Sequence, residues 1–193
     1  MSGWWTGWRG ARQERARAVY GEEGVHDFAR RAILEQIRLG PADRLLEVGC
    51  GGGLLLRDAL NSGASATGID HSEDMVALAR ERAPGASVSL ASADALPFPE
   101  AMFTAVAMSV VFFFFDDPLQ VLRECHRVLT SDGRIAVYTT SAALRGTPAA
   151  PEPMASMGRF HTDDELIALA ERAGFHAGQV HSRDGGQLLT ARA

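Results

Sequence analysis

The sequence predicts an α/β fold: a doubly wound sheet of seven strands, mostly parallel, closed by an antiparallel last strand. Three observations predict it. Short apolar, β-branched runs alternate with amphipathic helical ones, which is the pattern of a parallel sheet covered by helices on both faces. A glycine cluster stands between the first strand and the helix after it. The chain ends in two extended runs separated by Asp184 and two glycines, which reads as a hairpin.

Taken in order, residues 22–39 read as a helix with Val25, Phe28, Ala29, Ile33 and Ile37 on its apolar face, stopped by Gly40 and Pro41. Arg44 to Val48 is the first strand, and Gly49, Gly51, Gly52 and Gly53 turn the chain into a helix that runs through Leu60. Ala64 to Ile69 is the second strand, and Ser72 caps a helix over 73–83 that Pro84 and Gly85 end. Ser87 to Ala91 is the third strand, followed by a loop with Pro97 and Pro99. Thr104 to Phe112, apolar on both faces, reads as a central fourth strand. Pro118 opens a helix through Leu129, and Arg134 to Thr140 is the fifth strand. Residues 142–160, rich in glycine and proline, read as an irregular insert. Thr162 caps a helix to Ala173, and Phe175 to His181 and Gln187 to Ala193 form the closing hairpin. One domain over 22–193 is expected, with 1–21 as an amino-terminal lid or extension.

Composition removes several functions. All 19 basic residues of this 193-residue chain are arginine. Pyridoxal-phosphate chemistry, Schiff-base aldol chemistry and a Walker-type phosphate loop each need a lysine amine, so all three are excluded. A net charge of −5 disfavours nucleic acid and anionic lipid as partners. Cys50 and Cys125 form no CxxC pair and no metal cluster, which suits a reducing cytosol. The first residues lack the pattern of a signal peptide, and the apolar stretch 101–115 is shorter than the roughly 18 residues of a spanning helix. A cytoplasmic location with no membrane association is expected.

The chemistry-bearing segment is LLEVGCGGG, residues 45–53. Glycines at 49, 51 and 53 let backbone pass close to a ligand, and the helix behind them offers unpaired N–H groups. The dinucleotide pattern GxGxxG fails, because Leu54 and Leu56 stand where its last glycine would be. About 20 residues on, Asp70 ends the second strand, where a carboxylate can accept hydrogen bonds from both hydroxyls of a ribose; membership in the turn before the Ser72 cap is the plainer alternative. After the third strand, Asp94 and the Ala95 N–H can read the amine and ring nitrogen of adenine. The three features sit at carboxyl ends of strands and converge on a nucleoside pocket.

These segments resemble the class I S-adenosylmethionine-dependent methyltransferases, specifically the type 11 group that includes ubiquinone and menaquinone biosynthesis enzymes. LLEVGCGGG resembles the family's first motif, TGIDHSEDMVALARER (67–82) its second-strand motif, and SADALPFPEAMF (92–103) its adenine motif. LRECHRVLTSDGRIAVY (122–138) is similar to its helix-turn-strand signature, and HTDDELIALAERAGF (161–175) to its last helix. The resemblance implies a Rossmann-like fold and S-adenosyl-L-methionine as cofactor. It implies that Glu47, Gly49, Cys50 and Gly51 hold the methionine part and Asp70 the ribose. His71 and Met75 would flank the adenine, Asp94 and Ala95 would read its edge, and Ser109 would lie near the methionine end.

The chain departs from the family where a histidine pair commonly follows the fourth strand. Phe112, Phe113, Phe114, Phe115, Asp116, Asp117 and Pro118 stand there instead, so a potential base is missing. Thr104 replaces a usual aspartate, and Thr130–Ser131–Asp132–Gly133 a lysine-proline-glycine-glycine turn. Methyl transfer from a sulfonium is an in-line displacement in which alignment can supply ~7–11 kcal/mol, and it needs no metal. Candidate bases are His26 and His161, with Tyr20 as an aromatic that closes over the cofactor; each is also readable as surface or packing. Alternation along a strand would leave two of the four phenylalanines at the pocket rim, so Phe113 or Phe114 lining the cavity predicts an apolar or aromatic acceptor. With no lysine, an anionic group on that acceptor falls to Arg17, Arg145 or Arg159.

Trp4, Trp5 and Trp8 fit a lid, a homodimer contact or an extension. The leading function is methyl transfer to oxygen, nitrogen or carbon of a small metabolite. The alternative is a cofactor-binding protein that does not methylate and works as a cyclase or interaction subunit.

Overall fold

A computed structural model describes residues 26–148, 150, 154–183 and 186–193. The elements are α1 (Asp27–Ile37), β1 (Arg44–Val48), α2 (Leu54–Asn61), β2 (Ser65–Asp70), α3 (Glu73–Arg82), β3 (Ser87–Leu90) and β4 (Phe103–Ser109). They continue with a 3-10 turn (Phe112–Phe114), α4 (Pro118–Val128), β5 (Leu129–Thr140), the one-turn α5 (Met154–Met157), α6 (Asp163–Arg172), β6 (His176–Arg183) and β7 (Gly186–Arg192). The strands form one sheet in the order β3-β2-β1-β4-β5-β7-β6. β1 pairs in parallel with β2 and β4, and the last strand, β7, runs antiparallel to both β5 and β6. The fold is therefore the doubly wound, seven-stranded sheet expected.

Alternation along the strands builds two cores. Leu46, Val48, Val106 and Met108 pack with Leu122, Cys125 and Leu166 of α4 and α6 on one face. Leu45, Ala105, Ala107 and Ala136 pack with Ala29, Ile33, Leu55, Leu56 and Ala79 of α1, α2 and α3 on the other. Small residues on both sides let α1 lie close over β4 and β5. The caps follow their sequence signals: Ser72 accepts from the Met75 N–H, Asp117 from the Gln120 N–H with Pro118 beside it, and Thr162 forms a reciprocal capping box with Glu165.

Four expectations are corrected. The fourth strand stops at Ser109 rather than Phe112, because Val110 takes a left-handed φ of 58° and gives its N–H to the Tyr138 carbonyl at 2.9 Å. The phenylalanines that follow are a 3-10 turn, so strand alternation does not sort them: Phe112 and Phe113 are buried, while Phe114 and Phe115 are half-buried. Phe28 is not on the core face of α1; it is 41% exposed and meets Tyr138 edge-on at 5.5 Å. The fifth strand starts at Leu129, not Arg134, with a register shift opposite Phe103 and Ala105. The expected residues 22–25 of the first helix, the segment 1–21, Arg17, Tyr20 and the three tryptophans lie outside the described residues.

Candidate active site

The strand order reverses between β1 and β4, so the loops after β1 and β4 leave the sheet on either side of a crevice at their carboxyl ends, where open α/β sheets bind ligands. Gly49, Gly51 and Gly53 all have positive φ, of 72°, 48° and 78°. A Cβ on Gly49 would lie 2.7 Å from Val111 Cγ2, whereas one on Gly51 would meet nothing within 4 Å. Gly49 is thus fixed by close approach of the β4 loop, and Gly51 faces open space. Asp70, 7% exposed at the end of β2, accepts the Gly51 N–H on Oδ2 and the Ser72 N–H on Oδ1, both at 2.9 Å. Its carboxylate locks two turns together. His71 is exposed, with Nδ1 3.5 Å from the same Oδ1, and Met75 is buried behind them.

Glu47 on β1 is 3% exposed, and its Oε2 has no hydrogen-bond partner among the described residues. Burial pushes its carboxyl well above the usual range, with the Asp70 charge adding to the effect; the Leu56 N–H and the Arg30 charge oppose it. Arg30 of α1 bridges Asp27 and Asp58, tying α1 to α2. Burial also raises the Cys50 thiol, so it stays neutral.

After β3, Asp94 and Ala95 are exposed, and the Ser92 hydroxyl donates to Asp94 Oδ1 at 2.5 Å. The loop that carries them is held by side chains of α4, which the sequence reading passed over. Arg127 donates to the carbonyls of Leu96 and Phe98, and Glu124 accepts the Leu96 N–H. The signal was available: Gln120, Glu124 and Arg127 recur at helical spacing as a polar face on an otherwise amphipathic helix.

The insert folds against the loop after β4. The Arg159 N–H donates to the Phe113 carbonyl at 2.8 Å, and Phe160 stacks on Phe113 with ring centroids 5.8 Å apart. Phe113 is 2% exposed, so in this arrangement it is a packing residue rather than a rim residue. Arg145 donates to the carbonyls of Ala155 and Gly158 and lies over the Phe160 ring, so its fork is used in holding the insert. Arg159 keeps a half-exposed guanidinium 3.8 Å from Asp116. His161 packs on Phe112, and its Nε2 is buried without a hydrogen-bond partner among the described residues. Burial lowers the pKa of both His161 and His26, so both are neutral near pH 7. His26 takes a left-handed conformation at the start of α1 and meets Phe28 edge-on. Ser109, half-buried, ends β4 two residues before Val111. A cavity of about 210 Å³ lined by Gln36, Arg134, Gln179 and Arg192 opens at the opposite, amino-terminal end of β5 and shares no residue with this crevice.

A doubly wound sheet with a glycine turn after β1 and a carboxylate ending the neighbouring strand defines a nucleoside-binding protein of Rossmann-like architecture. Comparison with known proteins narrows this. A family model described as a methyltransferase domain matches residues 46–137. An uncharacterised methyltransferase of Synechocystis is 31% identical over 190 residues, covering 91% of this chain and 85% of that one. A ubiquinone/menaquinone biosynthesis C-methyltransferase of Geotalea uraniireducens is 33% identical over 127 residues, but the match spans only 54% of its length. Among solved structures, the methyltransferase in a Haloferax volcanii complex with the Trm112 activator superposes with a TM-score of 0.84 at 20% identity, covering 95% of this chain and 96% of that one. The [4+2]-cyclase SpnF superposes at 0.71 with 22% identity, covering 86% and 80%. The chain belongs to the S-adenosylmethionine-dependent methyltransferases. It is an enzyme of that family, and S-adenosylmethionine is its cofactor.

Proposed function

We propose that the protein transfers the methyl group of S-adenosylmethionine to an oxygen, nitrogen or carbon of a small aromatic or apolar metabolite in the cytoplasm. The observation that carries this reading is the contact of Val111 with Gly49: the residue that abuts the glycine turn leads directly into the Phe112–Phe114 turn. The segment that follows the wall of the cofactor turn is therefore a run of phenylalanines, not a polar loop. Phe114 and Phe115 are the half-exposed members, so they replace Phe113 as the side chains expected to meet an acceptor.

The residues present fit the cofactor. An unpartnered Glu47 oxygen beside the turn wants a donor such as the cofactor amino group, and the open side of Gly51 admits a ligand against backbone. Glu47, Gly49, Cys50 and Gly51 would border the methionine part, Asp70 would take the ribose hydroxyls, His71 and Met75 would flank the adenine, and Asp94 with the Ala95 N–H would read its edge. Ser109 would stand toward the methionine end. When bound, the sulfonium supplies an electrophilic methyl. The chain's part is to align the acceptor and exclude water. His161, neutral and with a ring nitrogen that has no hydrogen-bond partner among the described residues, would take a proton from a hydroxyl or ammonium acceptor; its packing against the phenylalanine turn supports this choice. Of the described candidates, Arg159, whose guanidinium keeps half its surface exposed, would meet an acidic substituent.

Incubation with labelled cofactor and a panel of flat aromatic phenols and amines tests the reading, with Phe114→Ala and His161→Gln beside the wild type. Label transfer that weakens in both variants supports it. Cofactor bound but never converted to S-adenosylhomocysteine, with cell extract as acceptor source, would instead support a non-methylating role such as that of a cyclase.

A further inference from the structure

We propose that Arg127, acting with Glu124 and Gln120, is a positioning residue that sets how strictly the protein reads the purine of its cofactor. The inference rests on the reading above of Asp94 and the Ala95 N–H as the adenine contact. Both residues are exposed and lie in a segment without helix or strand between β3 and β4, so ladder hydrogen bonds do not place them. α4 does. Gln120 Nε2 donates to the Asp94 carbonyl at 3.2 Å, Glu124 Oε2 accepts the Leu96 N–H at 2.8 Å, and Arg127 Nη2 donates to the Leu96 carbonyl at 3.0 Å. Arg127 Nη1 reaches the Phe98 carbonyl at 2.8 Å, while Nε and Nη2 grip Glu124 at 2.9 and 2.8 Å.

Both backbone groups of Leu96 are thereby held by one arginine–glutamate pair, and the carbonyl of Asp94 by the residue one turn earlier. The guanidinium is needed as a rigid fork, since two carbonyls and a carboxylate are held at once; a lysine ammonium has neither the planarity nor the reach. The pair is mostly covered, with side-chain exposures of 30% for Arg127 and 15% for Glu124, so its geometry is little loosened by solvent. Holding the Asp94 carbonyl and both backbone groups of Leu96 sets the course of the backbone from which the Asp94 side chain and the Ala95 N–H project, while the Ser92 hydroxyl holds Asp94 Oδ1. That side chain and that N–H are the two groups that must match adjacent atoms of one ring. Selection against a wrong purine depends on that match, because an unpaired donor or acceptor costs more than a paired one returns.

The test compares binding of S-adenosylhomocysteine with its hypoxanthine analogue S-inosylhomocysteine, which carries a carbonyl where adenine has an amine, by calorimetry on the full chain. The wild type is expected to prefer the adenine form by about tenfold or more, the equivalent of one good hydrogen bond. Arg127→Lys is expected to lose most of that preference, and Glu124→Gln, which keeps an acceptor for Leu96, to lose less. In an Asp94→Ala background, Arg127→Lys should change the ratio no further. A ratio kept at the wild-type value in Arg127→Lys, even with a lower melting temperature, overturns the proposal. An unchanged ratio in Asp94→Ala alone overturns the adenine reading, and this inference with it.

Discussion

Gly51 donates its backbone N–H to the Asp70 carboxylate at 2.9 Å, so the residue expected to receive the ribose also shapes the glycine turn. The other Asp70 oxygen takes the Ser72 N–H at the start of α3. Asp70→Ala leaves both N–H groups without this acceptor. Hydrogen bonds to charged groups are worth ~1.5–3 kcal/mol, so the variant should melt earlier and bind S-adenosylhomocysteine at least tenfold more weakly. Asp70→Asn, which keeps one acceptor oxygen, should fall between. Wild-type affinity in Asp70→Ala would show that the ribose is held elsewhere.

Gly49→Ala should destabilise for two separable reasons. A left-handed φ of 72° costs a residue with a Cβ about 1–2 kcal/mol, and the new methyl would meet Val111 Cγ2 at 2.7 Å. Pairing it with Val111→Ala removes the clash but not the strain. Urea unfolding should therefore show a partial recovery in the double variant relative to Gly49→Ala. No recovery would mean that Val111 is not the wall against which the turn is set.

What was legible in the sequence divides by physical cause. The β1–glycine turn–α2 unit, the Ser72 and Thr162 caps and the closing hairpin each rest on local chemistry that few other conformations satisfy, and each forms as read. The end of β4 was not legible: Val106 to Phe115 is almost uninterrupted apolar residues, with no period to distinguish strand from turn, and the break falls on Val110, a β-branched residue in a left-handed conformation that propensity argues against. Phe28 fits an apolar stripe by spacing, yet it lies at the margin against Tyr138, where a three-dimensional neighbour decides its exposure. The role of Arg127 was not legible either, because the carbonyls it holds are about 30 residues away in sequence.

Stability should fall in acid through Asp43. This carboxylate, between α1 and β1, accepts from Arg134 Nη2 at 2.8 Å, from the Thr104 hydroxyl at 2.7 Å and from the Gly40 N–H at 2.9 Å. The Arg134 hydrogen bond, chiefly, lowers its pKa from 3.8 to about 2. A carboxyl more acidic in the folded state stabilises fully above its unfolded value and loses that contribution as pH falls from about 4 toward 2. The loss is about 1–2 kcal/mol once solvent screening is allowed for. Urea midpoints taken from pH 5 to pH 2 should drop less steeply in Asp43→Asn, and equal slopes would remove Asp43 as the cause.

Glu47 should act with the opposite sign. Its burial and the neighbouring Asp70 charge raise its folded-state pKa, so the cofactor-free protein holds a proton there that the unfolded chain gives up above about 4.5. The unfolded state is then the poorer in protons, and stability declines as pH rises from that value toward the folded-state pKa. Glu47→Gln keeps the shape and removes the titration, so without ligand it should be more stable than the wild type at pH 8 and nearly equal to it at pH 5. Binding reverses the preference: a cationic amino group beside the unpartnered Oε2 favours the carboxylate. Wild-type affinity for S-adenosylhomocysteine should thus increase as pH rises from about 4.5 toward the raised pKa of the cofactor-free protein, whereas the glutamine variant should bind more weakly and with a flatter profile. Thermal shift with and without ligand across that range measures both effects. Parallel pH profiles for wild type and Glu47→Gln, in either state, would show that this buried carboxyl does not exchange its proton on binding.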